Sequence, residues 1–260
     1  MLLAIDIGNT NILLGLWNGR SWQHQWRLRT NSEQTVDEFG VTLKALLREF
    51  GVDELVSDVA LCSVVPWLTK TFKQVSQQYL NVTPLELTHR SNIGIRLGQD
   101  TPAEVGADRI ANAVAAHHQF PGGSIIIDMG TATKFEVVTA GGEFLGGVIA
   151  PGLRLAADAL AGRAAQLRSV PLEAPPVMIG RNTVHAVQSG LILAYACMVD
   201  GVVARLCAEL PPAERPLQVI GTGGNIHLIA EHTRVIDQVE PCLTLTGLRI
   251  VYERTLGESL

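Results

Sequence analysis

Twice in this chain an aspartate is followed two residues later by a glycine and then by small hydrogen-bonding residues. The segments are Asp6-Ile7-Gly8-Asn9-Thr10-Asn11 and Asp128-Met129-Gly130-Thr131-Ala132-Thr133. Gly8 and Gly130 can take positive φ and let the backbone come close to a ligand. Asn9, Thr10, Asn11, Thr131 and Thr133 add small donors. Asp6 and Asp128 would repel a phosphate directly, but each can hold Mg²⁺, its waters or another cation. Two such turns could grip a nucleoside triphosphate from both sides. Taken singly, either is equally a common turn. The repetition, each copy after a buried strand and before a hairpin, favours phosphate. Thr222-Gly223-Gly224 could lie against an adenine or ribose, or simply join a strand to a helix. No GxxxxGK[ST] segment occurs, and no GxGxxG follows a strand.

The elements that must hold these turns follow from pattern. Apolar runs predict strands at Leu2–Ile7, Asn11–Trp17 and Ser21–Arg27, with Asn18-Gly19 as a hairpin signal. Helical spacing runs from Thr35 to Phe50, and Pro66 opens a helix to about Tyr79. Val59–Ser63 and Pro84–Leu87 read as strands, and 88–101 as a loop. Thr101-Pro102-Ala103-Glu104 has the form of a capping box opening a helix to His117 or His118. In that helix Gly106 would be interior, at a cost of about 0.5–1 kcal/mol, as if substrate had to approach there. Strands at Ser124–Asp128, Ala132–Thr139 and Glu143–Ile149 come next, then a helix at Pro151–Gly162. A Pro-containing loop at 163–180 leads to a long helix at Asn182–Leu210. Leu217–Ile220, a Gly turn, a helix, a strand near Val235 and a helix at Thr244–Leu256 end the pattern. The two aspartate turns stand 122 residues apart (6 to 128), and Gly19 falls on Gly141 at that offset. The reading is therefore an α/β chain of two similar domains, 1–118 and 119–260.

Composition sets the outer limits. With 260 residues and 47% hydrophobic residues, the core needs no disulfide or metal staple. A net charge of −5 argues against nucleic acid or an anionic membrane as main partner. The four cysteines form no CxxC pair and read as buried thiols in a reducing compartment. MLLAIDIG is too soon acidic for a secretory signal, and the apolar stretch Gly190–Val199 is too short to span a bilayer. A soluble cytoplasmic protein is expected.

Tandem α/β domains with paired Asp-x-Gly hairpins resemble the superfamily of acetate and sugar kinases, heat-shock chaperone ATPases and actin. The resemblance implies two ribonuclease H-like domains with the active site in the cleft between them. Four segments resemble type III pantothenate kinase in order and spacing. They are Asp6–Asn11, Pro102-Ala103-Glu104-Val105-Gly106-Ala107-Asp108-Arg109, Asp128–Thr133 and Gly146-Gly147-Val148-Ile149-Ala150-Pro151-Gly152. The Gly-x-Asp-Arg segment discriminates, since acetate and sugar kinases lack it here. The implied reaction is ATP-dependent phosphorylation of pantothenate, the first step of coenzyme A biosynthesis. A non-catalytic relative that binds nucleotide and regulates a partner is the alternative.

That resemblance carries roles onto residues. Asp108 is the base that takes the hydroxyl proton; by spacing alone, Asp108-Arg109 is equally a solvated pair on a helix face with Glu104 and Asn112. Arg109 would bind the pantothenate carboxylate, a suitable partner for a planar guanidinium. Gly106, Ala107 and Thr183 are further substrate contacts, Thr183 being otherwise a helix cap. Asp6, Ile7, Gly8, Asn9, Thr10, Asn11 and Thr131 fall to ATP with Mg²⁺. Asp128 falls to a monovalent cation, K⁺ or NH₄⁺. A homodimer is implied, to which the apolar residues of the long helix are suited, and none of the seven histidines is assigned to catalysis. Two departures stand out. Gln99 replaces a common Tyr, and Lys134 and Glu136 replace the usual Thr and Asp. Lys134 could reach back to Asp128 as a fixed ammonium, or form an exposed pair with Glu136.

Overall fold

A computed structural model describes residues 1–163, 167–215 and 217–257; the part of the expected 163–180 loop at 164–166 lies outside the described residues. The chain forms two compact units. One comprises residues 1–95, 100–115 and those from Leu243 onward; the other comprises 96–99 and 116–242.

The first unit is a five-stranded sheet in the order β3-β2-β1-β4-β5. Its strands are β1 (Leu2–Ile7), β2 (Asn11–Trp17), β3 (Trp22–Arg29), β4 (Asp58–Ser63) and β5 (Leu85–Glu86). β1 is almost wholly buried, as expected of a central strand, whereas edge strand β3 alternates half-buried and exposed residues. The connections carry α1 (Val36–Glu49) and α2 (Pro66–Leu80), whose Phe39 and Phe72 rings meet at 4.9 Å. α1 begins with a capping box: the Thr35 hydroxyl accepts from Glu38 N–H, and the Glu38 carboxylate accepts from Thr35 N–H.

The second unit repeats this order as β9-β8-β7-β10-β11, with one short strand, β6 (Arg96–Leu97), added beside β9. Its strands are β7 (Ser124–Met129), β8 (Ala132–Val138), β9 (Glu143–Pro151), β10 (Gln218–Thr222) and β11 (Gln238–Val239). In both sheets the strand bearing the aspartate pairs antiparallel with the next strand and parallel with the one after the helical insertion. The insertion here holds α4 (Leu153–Arg163), α5 (Thr183–Gln188), a π-helical turn at Ser189–Leu193 and α6 (Ala194–Glu209). Together α5 to α6 form one helix, Thr183–Glu209, long and apolar enough by length and composition to cross a membrane. That exceeds the short apolar stretch expected from sequence. Its Ile192, Ala196, Val199 and Val203 pack with Ile125, Ile127 and Phe135 in the second core.

Three expectations change. Pro102–Glu104 is a single 3₁₀ turn and Thr101 makes no side-chain cap, because the β-branched Val105 is extended and ends the turn. α3 (Ala107–Gln119) starts afresh, so Gly106 precedes it and Asp108 is its second residue. α8 (Leu243–Leu256), following the four-residue α7 (His227–Ala230), packs on β1, β2 and β4 of the first unit. The division expected at 118/119 assigns it to the second half of the chain. The four cysteines form no disulfide, but only Cys62 is buried and Cys197 is exposed.

Candidate active site

β1 delivers Asp6 to the carboxyl end of the first sheet, level with Leu13 on β2 and Cys62 on β4. The buried Cys62 thiol donates to Asp6 Oδ1 at 3.4 Å. Gly8 N–H closes the turn on the Asn11 carbonyl at 3.0 Å. Thr30, just past β3, braces it twice: its hydroxyl donates to Gly8 O at 2.6 Å and its N–H to Thr10 O at 3.0 Å. Ile7 is buried beneath, while Asn9, Thr10 and Asn11 are exposed. Contrary to expectation, neither Gly8 nor Gly130 has a positive φ. Each N–H bonds a carbonyl at the start of the following strand, Asn11 O for Gly8 and Ala132 O for Gly130.

The Asp108 segment lies at the same end of this sheet. Val64 N–H, beyond β4, donates to Ile7 O at 3.1 Å, and Gly106 packs on Val64. Asp108 Oδ1 accepts from Arg109 N–H at 2.8 Å, so the carboxylate turns back over the start of α3. A Cβ on Gly106 would stand 2.5 Å from that same Oδ1. The space that glycine leaves is therefore filled by Asp108 itself, where an approaching substrate was expected. Glu104 is outside α3, and Asn112 is fully buried, accepting from the Thr244 hydroxyl at 2.8 Å. α8 thus fixes the helix that carries Asp108, Ala107 and Arg109.

The second turn has the same backbone plan. Gly130 N–H bonds Ala132 O at 3.0 Å, and Gly152 N–H bonds Thr131 O at 3.1 Å. Gly152 stands 122 residues after Thr30 and, like it, gives its N–H to a turn carbonyl. Thr131 is exposed and Thr133 fully buried. Asn225 N–H donates to Met129 O at 3.0 Å. Gly223, with φ of 90°, lets the Thr222-Gly223-Gly224 segment close on the turn; a Cβ there would lie 2.6 Å from Asp128 Oδ1. Asp128 Oδ2 is met by Lys134 Nζ at 2.7 Å, with 12% and 13% of the two side chains exposed. Tyr195 donates its hydroxyl to Pro151 O, close to the Thr133 side chain. Burial pushes its phenol pKa upward, against the pull of the Thr133 side chain.

Not every expected residue joins these turns. Thr183 is exposed at the first position of α5, where the cap is Asn182, whose Oδ1 accepts from His185 N–H at 2.9 Å. Thr183 is twelve residues before Tyr195 on one helix, roughly 18 Å at the helical rise. Gln99 donates to Phe144 O at 2.7 Å and so fastens β9. A groove of about 370 Å³ between β9 and α6, lined by Leu145, Val148, Val202 and Leu206 among others, contains none of the expected site residues. Sequence reasoning missed Cys62, Thr30, Asn225 and Tyr195. Of these only Thr30 had a signal, its 122-residue offset from Gly152.

Comparison with known proteins decides the family. The type III pantothenate kinase family model matches residues 2–205. A type III pantothenate kinase from Roseiflexus sp. is 46% identical over 254 residues, covering 97% of this chain and 98% of the relative. One from Myxococcus xanthus is 44% identical over 255 residues and 98% of each chain. The chain belongs to the type III pantothenate kinases.

Members of this family are kinases with an alcohol acceptor. The activator of 2-hydroxyisocaproyl-CoA dehydratase from Clostridium difficile matches with a TM-score of 0.55 at 13% identity, over 100% of this chain and 98% of that one. A polyphosphate/ATP-glucomannokinase from Arthrobacter matches at 0.51 and 14%, over 99% of both. A Campylobacter jejuni chain assigned to the Baf family of transcriptional activators matches at 0.62 and 18%, over 98% and 99%. At these identities the likeness establishes the two-domain actin-like ATPase fold of the pantothenate kinase family and nothing further.

Proposed function

We propose that this chain transfers the γ-phosphoryl group of ATP to the primary hydroxyl of pantothenate, the first step of coenzyme A biosynthesis. The family supports the substrate, and the observation that carries the chemistry is the Asp108 carboxylate, preset over Gly106 beside the Asp6 turn. In the reaction the bond from the γ-phosphorus to the β,γ-bridging oxygen breaks and ADP leaves. The pantothenate oxygen bonds to phosphorus and its proton passes to Asp108. Arg109 binds the pantothenate carboxylate, with Gly106, Ala107 and Thr183 as further substrate contacts. The Asp6–Asn11 segment and Thr131 take the phosphates through backbone N–H groups and small side chains.

Among the described residues no cluster of three or more His, Cys, Asp or Glu side chains could hold a metal ion. One carboxylate with the phosphates of the nucleotide suits Mg²⁺, which keeps few protein ligands, and Asp6 fits that part. When bound, the ion would neutralise phosphate charge.

A homodimer in the cytoplasm belongs to the same reading. It is supported by the exposed apolar side chains Leu145, Ile149, Leu155, Leu160 and Val184 of the second unit. Sedimentation should give twice the mass of the 28.0 kDa chain. The decisive experiment is ADP release measured with pantothenate and with a panel of other hydroxy acids. Turnover confined to pantothenate is expected; binding of ATP without turnover on any acceptor would favour a regulatory relative.

A further inference from the structure

The second turn contains more buried charge than the first. Asp128 is 8% exposed and Glu136 fully buried. Both flank Lys134: Asp128 is its partner across the β7–β8 ladder, and Glu136 is two residues on, hence on the same strand face. Two buried carboxylates at a turn suited to phosphate need a positive charge close by, because desolvated anions are costly unless paired. Lys134 supplies it, its ammonium 2.7 Å from Asp128 Oδ2. The other carboxylate oxygen, Oδ1, faces the Gly223 backbone, where there is no room even for a methyl group.

We infer that Lys134 is the built-in cation of this turn, and that the enzyme has no use for the soluble monovalent ion that its resemblance to the family implies. The residues do not fit such an ion. K⁺ coordinated to Asp128 would stand about 4–5 Å from the Lys134 ammonium. Repulsion between like charges at that distance weakens binding by on the order of 10²–10³-fold at an effective dielectric near 20. The tethered ammonium has the charge of K⁺, is present at every salt concentration, and is held by a strand instead of by diffusion. Lys134 therefore acts as a positioning residue, fixing Asp128 and the turn after it.

This inference rests on the pantothenate kinase reading for its activity arm only. Turnover and thermal unfolding midpoint are measured at constant ionic strength in KCl, NaCl and tetramethylammonium chloride, for wild type, Lys134→Thr and Lys134→Met. Wild type should turn over within about twofold in all three salts, with midpoints that do not separate K⁺ from tetramethylammonium. Lys134→Thr should be tenfold or more faster in K⁺ than in tetramethylammonium, and selectively stabilised by K⁺. Lys134→Met, which fills the space without a charge, should be slow in every salt. Activation of wild type tenfold or more by K⁺, or a K⁺-selective rise in its midpoint, overturns the inference, and so does a Lys134→Thr variant as indifferent to K⁺ as wild type. Should Lys134→Thr not fold, the wild-type measurements decide alone. Should wild type not phosphorylate pantothenate, the midpoints still read ion selectivity, so failure of the kinase reading is seen separately.

Discussion

At the first turn the aspartate is met by a neutral thiol; at the second, by an ammonium. Around both, the backbone follows one plan: glycine N–H to a carbonyl of the next strand, and a brace from the residue at the end of the third strand. The comparison shows which part of a duplicated aspartate turn is architectural. The main-chain donors recur at the 122-residue offset, with each acceptor one residue earlier in the second turn, while the side chain met by the aspartate differs: Cys62 at Asp6, Lys134 at Asp128. At the first turn Cys62 meets the carboxylate as a hydrogen-bond donor. The second holds its carboxylate in an ion pair from the outset.

The largest effect should come from the residue that only the first turn has beside it. Asp108→Asn is expected to lower kcat by about 10²–10⁴, with unchanged nucleotide affinity and unfolding midpoint. Near wild-type turnover would remove Asp108 from its role. Next in size is a contrast in stability, read by urea unfolding. Asp128→Ala removes the carboxylate 2.7 Å from the Lys134 ammonium and should cost about 3–5 kcal/mol, part of which Lys134→Met in the same chain restores. Asp6→Ala removes the acceptor of the Cys62 thiol hydrogen bond and should cost less, about 1 kcal/mol. Equal losses would break the comparison. Gly106→Ala should follow, since its methyl group displaces the Asp108 carboxylate; a misplacement of about 1 Å can lower kcat by about 10²-fold. Unchanged kcat would mean that the carboxylate position in this structure is not the working one.

The smallest effect is a pH dependence at the second turn. Burial raises the folded pKa of Tyr195 above the usual 10.0, so its contribution to stability is complete below pH 10.0 and is lost as pH rises through the raised value. The stability difference between wild type and Tyr195→Phe should accordingly shrink above pH 10.0 in urea titrations. A difference constant to higher pH would place the tyrosine in water.

Much of this was legible in the sequence because it is local or periodic. The apolar runs before Asp6 and Asp128, the Asn18-Gly19 hairpin and the 122-residue offset gave the duplicated strands within a residue or two. Lys134 was within reach of Asp128 because a hairpin makes them neighbours. The capping motif at Thr101 misled, since its residues fit a helix start and only the extended Val105 ends the turn. Cys62 and Tyr195 were invisible for another reason. Their partners, Asp6 and Pro151, lie 56 and 44 residues away in sequence, and pairing at that distance is set by sheet register and packing.

The return of α8 to the first sheet has a consequence for the order in which the molecule is made. Strands β1 to β5 leave the ribosome early, but the helix that covers β1, β2 and β4 and fixes α3 is not synthesised until residue 243. Counted from the end of β5, at about 5–20 residues per second, that is a wait of roughly 8–30 s. Throughout it, one face of the sheet bearing Asp6 lacks its natural cover. The unit begun first is therefore completed last, and its reliance on a holdase should be greatest in chains that stop short of Leu243.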